Sequence, residues 1–228
     1  MRPTRSGVTG SLVYAALGVI WILGTRPPGS GWLLFAWVVA VAIAGAFIPG
    51  EANQVSLARA YLAAPAVAYS VSGQLGLLAV VVAVAGLTDL VDGTIARRFE
   101  RPSNLGGALD PVVDGIFLGS TTLGLSLGGA FPLWLAMVVI ARYLLPALGG
   151  GLLIVSGRRP ELHHTLSGQV STTLILILVG GVALFRGLNQ DPDGYLTAAE
   201  VVIPVATVVT FGHLAWASRR RVGGPQPG

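Results

Sequence analysis

The chain has 228 residues, of which 53% are hydrophobic and 11% charged, and its mean hydropathy is +0.75. A soluble domain carries roughly 25% charged residues, so this composition excludes a water-coated globule and points to lipid as the solvent. All 14 basic residues are arginine, the net charge is +4 and cysteine is absent, which excludes a disulfide framework and thiolate metal sites.

A membrane helix needs about 20 apolar residues. The apolar runs predict helices over 11–23, 32–48, 55–69, 75–96, 106–127, 132–155, 166–185 and 196–217, separated by breakers such as Arg26-Pro27-Pro28-Gly29 and Asp191-Pro192-Asp193-Gly194. The basic head and apolar run at the start resemble a signal peptide. No small-residue cleavage site follows, and further apolar segments come next, so the run reads as a retained helix. The arginines stand at the ends of apolar runs rather than in one patch, which argues against a nucleic-acid partner. One side of the membrane receives Arg2, Arg5, Arg97, Arg98, Arg101, Arg158, Arg159 and Arg219 to Arg221, the other Arg26 and Arg186. The positive-inside rule then predicts a multi-pass cell-membrane protein with both termini cytoplasmic. Residues 1–50 form an N-terminal helix pair, 51–222 a single membrane domain and 223–228 a disordered tail. Gly124 and Gly128 make a small-xxx-small pair, a route to a homodimer.

The informative residues are acidic. Four of the ten carboxylates, Asp89, Asp92, Asp110 and Asp114, fall within 26 positions, in or beside apolar helices. Each ionised carboxylate in a membrane span costs about 2.5–3.5 kcal/mol on insertion scales, and four together repel one another, so a cation is expected among them. Asp89 and Asp92 are spaced i, i+3 and Asp110 and Asp114 i, i+4, so each pair shares a helix face. The two helices are consecutive and antiparallel, and at about 1.5 Å per residue both pairs reach a similar depth, just inside the cytoplasmic face. Oxygen ligands without cysteine or histidine select hard cations, Mg²⁺, Mn²⁺ or Ca²⁺, and four carboxylates suit two ions that clamp a displacement at phosphorus. Salt bridges to Arg97 and Arg142 are the structural alternative. Gly93, Ala96 and Gly106 are small residues in register with the acids, where a bulky ligand can approach the backbone.

The run Asp89-Leu-Val-Asp92-Gly93-Thr-Ile-Ala96-Arg97, with Gly106, Asp110 and Asp114 following at intervals of eight, three and three residues, resembles the signature of the CDP-alcohol phosphatidyltransferases. All eight signature residues are present at the family's spacing. The resemblance covers roughly residues 51 to 222. It implies an all-α integral membrane fold, a six-helix core preceded here by two extra transmembrane helices. It also implies a magnesium- or manganese-dependent transferase of phospholipid biosynthesis, using two ions, CDP-diacylglycerol and an alcohol acceptor. Carried over by residue, Asp89, Asp92 and Asp110 become metal ligands, and Asp114 becomes both ligand and general base. Gly93, Ala96, Arg97 and Gly106 then line the cytidine diphosphate site.

Weaker likenesses surround the signature. Asn53-Gln-Val-Ser56-Leu-Ala-Arg59 resembles the family's polar lead-in, against the plainer reading that Asn53 caps a helix and Arg59 snorkels. Arg142 lies mid-helix, where a charge is a functional candidate. Family members often have an arginine nearby, implying a lipid or acceptor phosphate as partner, with a salt bridge to an aspartate as the alternative. Gly168 and Thr172 resemble the phosphatidylglycerophosphate and cardiolipin synthase branch, but Gly115 and Gln169 stand where that branch commonly has lysine. His163, His164, Arg158 and Arg159 are the nearest substitutes for those cations. Leu109-Asp110-Pro111 and Pro132-Leu-Trp134 are similar to the phosphatidylglycerophosphate synthases, so glycerol 3-phosphate is the expected acceptor and phosphatidylglycerol the runner-up. A divalent-cation transporter is the rival class, disfavoured because the acids stop at one face. A silent membrane scaffold is disfavoured by the intact signature.

Overall fold

The computed structural model describes the backbone of residues 3–99, 104–155 and 166–222 and the side chains of residues 3–89, 109–149 and 168–213. Over that range it is all-α, with eight helices: α1 (Arg5–Thr25), α2 (Gly31–Ala46), α3 (Glu51–Val71), α4 (Leu75–Phe99), α5 (Asn104–Leu127), α6 (Leu133–Val155), α7 (Leu166–Gly187) and α8 (Asp193–Val222). Each predicted apolar run matches one helix, six of them lying wholly inside it, while 32–48 runs two residues past the end of α2 and 132–155 begins one residue before α6. Helix α1 extends beyond its run because polar groups at its ends satisfy free backbone groups. Thr4 Oγ1 caps α1 by accepting from Gly7 N at 3.1 Å, and Arg26, at φ 44°, closes the other end through Ile22 O. The Asp191–Gly194 breaker is a turn: Asp191 Oδ1 accepts from Asp193 N at 2.9 Å where α8 starts.

Among the described residues, three stretches are long and apolar enough to cross a membrane, Arg5–Thr25, Gly168–Gly187 and Asp193–His213. Their outward faces are as apolar as the inward ones: Leu12, Leu23, Val201 and Val208 are exposed, a pattern stable in lipid and costly in water. This is a membrane protein.

Helices α3 to α8 close into a ring in the order α3, α4, α7, α8, α6, α5 and back to α3. Its centre is filled by Leu78, Phe117, Leu118, Leu135, Val139, Ile175, Val179 and Ile203, none more than 1% exposed. Helices α1 and α2 form a hairpin outside the ring whose close backbone contacts are, among the described residues, with each other and with α3. Polar bonds fasten it. Trp21 Nε1 donates to Tyr69 OH and Trp37 Nε1 to Ala60 O, both at 2.8 Å. Gln54 Nε2 donates to Gly45 O and Ile48 O.

The Gly124–Gly128 pair is used inside the chain and not between copies. Both glycines face Ser70 of α3: a Cβ at Gly128 would lie 2.5 Å from Ser70 O, and one at Gly124 would collide with Ser70 Oγ. This surface is therefore closed to a dimer partner. Gly124→Ala should lower the melting temperature of the detergent-purified protein, an overpacking loss of about 1–3 kcal/mol. Adding Ser70→Gly should recover most of it. A single substitution that melts like the wild type would contradict this packing.

Candidate functional site

The site begins on α3. A polar cluster starts this helix just after Gly50, whose φ of 97° is easy only for glycine. Asn53 is inside the first turn, its Nδ2 donating to Pro49 O at 2.6 Å, so it ties down the preceding loop instead of capping the helix. Two turns on, Arg59 points into the ring and is 3% exposed. Of the two readings of Arg59, snorkelling does not hold. A guanidinium this deep is stable only if paired.

Its partners are the carboxylates. Arg59 Nη1 donates to Asp89 Oδ1 on α4 and lies 3.0 Å from Asp114 Oδ1 on α5, while Nη2 lies 3.8 Å from Asp110 Oδ1. The structure thus brings Asp89, Asp110 and Asp114 around one position, as helix spacing and antiparallel pairing require. The cation between them is Arg59, and among the described residues no three acidic or histidine side chains are grouped to hold a single ion. Side-chain exposure falls from 42% at Asp89 through 32% at Asp110 to 12% at Asp114. Asp114 is therefore the innermost, flanked by buried Val113 and Phe117. Asp92, Gly93, Ala96, Arg97 and Gly106 lie outside the residues whose side chains are described, as do Arg158, Arg159, His163 and His164.

Arg142, on α6, is 4% exposed and belongs to a second polar cluster. It donates to Ala206 O at 3.1 Å and Thr210 Oγ1 at 2.9 Å on α8, and to Gly168 O at 3.4 Å on α7. No described carboxylate is within ion-pair distance of it, so the expected alternative, a salt bridge to an aspartate, is not what holds it. Beside it, Tyr143 OH and Thr172 Oγ1 are 3.0 Å apart. The Tyr143 side chain also fills the space over Gly115, where a Cβ would lie 2.7 Å from Tyr143 Cβ. A lysine at Gly115 would displace that ring. Gln169 is exposed.

The profile of one protein family, CDP-alcohol phosphatidyltransferase, matches residues 51–212, the span of the closed ring and its carboxylates. The chain belongs to that family. Similar proteins include a cardiolipin synthase (CMP-forming) of Streptomyces coelicolor, 38% identical over 92 residues, covering 40% of this chain and 42% of the relative. A probable phosphatidylglycerophosphate synthase of Mycobacterium tuberculosis is 28% identical over 146 residues, 62% of this chain and 66% of the relative. A CDP-diacylglycerol–glycerol-3-phosphate 3-phosphatidyltransferase of Bacillus subtilis is 28% identical over 106 residues, 46% and 54% of the two chains. The chain thus spans less than half the length of the Streptomyces relative. No solved structure matches it.

For this phosphatidyltransferase-family chain, α1 and α2 precede the matched region. The acids stand out in the sequence, Arg59 less clearly, and Tyr143 and Thr210 not at all. The signal for Arg59 was available: a charge eight residues into a helix rich in alanine invites the same intramembrane-charge argument as the aspartates.

Proposed function

We propose that this protein transfers the phosphatidyl group of CDP-diacylglycerol to an alcohol and releases CMP. The observation that carries the reading is the convergence of Asp89, Asp110 and Asp114 on one cation position, within a chain of this family. The donor chemistry fits Mg²⁺ or Mn²⁺: the ligands are carboxylates facing a place that already holds a positive charge, and a bound ion would have to draw the three described ones closer together. Asp89, Asp92, Asp110 and Asp114 would hold two such ions, which supply charge neutralisation at phosphorus and acidify a nearby hydroxyl.

The chain's own residues do the rest. Asp114, most shielded from solvent, takes the proton of the acceptor hydroxyl. The resulting oxygen attacks the lipid-side phosphorus, its new O–P bond replacing the P–O bond to CMP, which leaves. Gly93, Ala96, Arg97 and Gly106, matching the signature, line the cytidine diphosphate site. Arg142, held by α7 and α8, would meet a lipid or acceptor phosphate. The arginine distribution supports a cytoplasmic active site in the cell membrane.

The acceptor reading shifts from glycerol 3-phosphate toward phosphatidylglycerol. A phosphomonoester needs more positive charge than a phosphodiester. Yet Gly115 is sealed by Tyr143 and Gln169 is uncharged. Purified protein with labelled CDP-diacylglycerol and a panel of alcohols, read by CMP release, tests both levels. CMP release with no acceptor on the panel would refute the transfer. Faster turnover with glycerol 3-phosphate than with phosphatidylglycerol would restore the first acceptor. In the same assay, Gln169→Lys should lower the KM for glycerol 3-phosphate by placing a point charge near its phosphate. An unchanged KM, with normal CDP-diacylglycerol binding, would place residue 169 away from the acceptor.

A further inference from the structure

We infer that Arg59 is a resident counter-ion that competes with the divalent cation for the same carboxylate oxygens, so that cation binding and the Arg59 ion pairs exclude one another. The inference rests on the metal reading above and adds a residue outside the family signature to it.

Asp89 Oδ1 and Asp114 Oδ1 both face a single nitrogen, Arg59 Nη1, and Asp110 Oδ1 faces Nη2. A hard cation that gathers these oxygens at ligand distances of about 2.0–2.6 Å has to take the place of that fork. Holding both cations on one set of oxygens would put a second positive charge against a guanidinium whose side chain is only 4% exposed, where repulsion is weakly screened. Without either cation, the three carboxylates would face one another across that same space. The protein avoids this by supplying its own cation, and the buried guanidinium in turn needs the carboxylates.

The exchange falls to the side chain, because the α3 backbone is clamped from behind. Trp37 Nε1 of α2 donates to Ala60 O, next to Arg59, and Gln54 and Asn53 tie the start of α3 to the end of α2 and the loop after it. This gives the accessory hairpin a task in the same device: it fixes the point from which the Arg59 side chain swings.

The test is Mn²⁺ affinity of the full chain in detergent, read by electron paramagnetic resonance, together with melting temperature with and without Mn²⁺. Arg59→Gln should bind Mn²⁺ at least about tenfold more tightly, within the 5–150-fold typical of coupled binding events. It should melt lower than the wild type without metal and gain more on adding it. Arg59→Lys, which retains charge but loses the fork, should show a smaller rise in affinity and covers the case in which the glutamine variant does not fold. Equal or weaker Mn²⁺ binding by both variants overturns the competition. A wild type that binds no Mn²⁺ at all would instead remove the metal reading on which it rests.

Discussion

Asp114→Asn should lower kcat by about 10²–10⁴, the usual worth of a general base, while CDP-diacylglycerol and metal still bind. Asparagine keeps the shape and one oxygen but cannot accept a proton. Asp114 is the innermost of the described carboxylates, 12% exposed against 42% for Asp89, so no other described acid is as well shielded from water at the point of proton transfer. Asp89→Asn and Asp92→Asn should act earlier, weakening metal or nucleotide binding, and separate measurement of KM and kcat distinguishes the two kinds of loss. Because Asp114 is also a candidate ligand and a partner of Arg59, the rates belong at saturating Mg²⁺. If the asparagine variant then keeps more than about a tenth of wild-type kcat, less than the loss of a base would remove, another group takes the proton.

Chelation should have the larger effect. EDTA is expected to abolish CMP release, and Mg²⁺ or Mn²⁺ to restore it, because only a hard cation suits a set of carboxylates without cysteine or histidine. The arginine already among them makes the prediction sharper. Arg59 can keep the acids together, so the chelated protein should remain folded, with its far-UV circular dichroism unchanged, while turnover is lost. Full turnover in chelator would sink the two-metal reading. Unfolding on chelation would show that Arg59 does not suffice as counter-ion.

The solvent, the helices and the acids that face one another are all legible in the order of the residues. Those features are local or periodic: about 20 apolar residues span a bilayer, and a 3.6-residue turn puts Asp110 and Asp114 on one face whatever the rest of the chain does. The hairpin order of α4 and α5 then brings Asp89 to the same depth. Which cation sits among them was decided by tertiary structure, since Arg59 meets the acids only because α3 packs against both α4 and α5, 30 residues from its partner Asp89 in the chain. The same holds for the glycines. Gly124, Gly128 and Gly115 look alike in sequence, and only packing shows the first two pressed on Ser70 and the third beneath Tyr143. Arg142 is the clearest case. Its mid-helix charge demanded partners, but spacing along α6 carries no information about α8, whose Ala206 carbonyl and Thr210 hydroxyl supply them from more than sixty residues away.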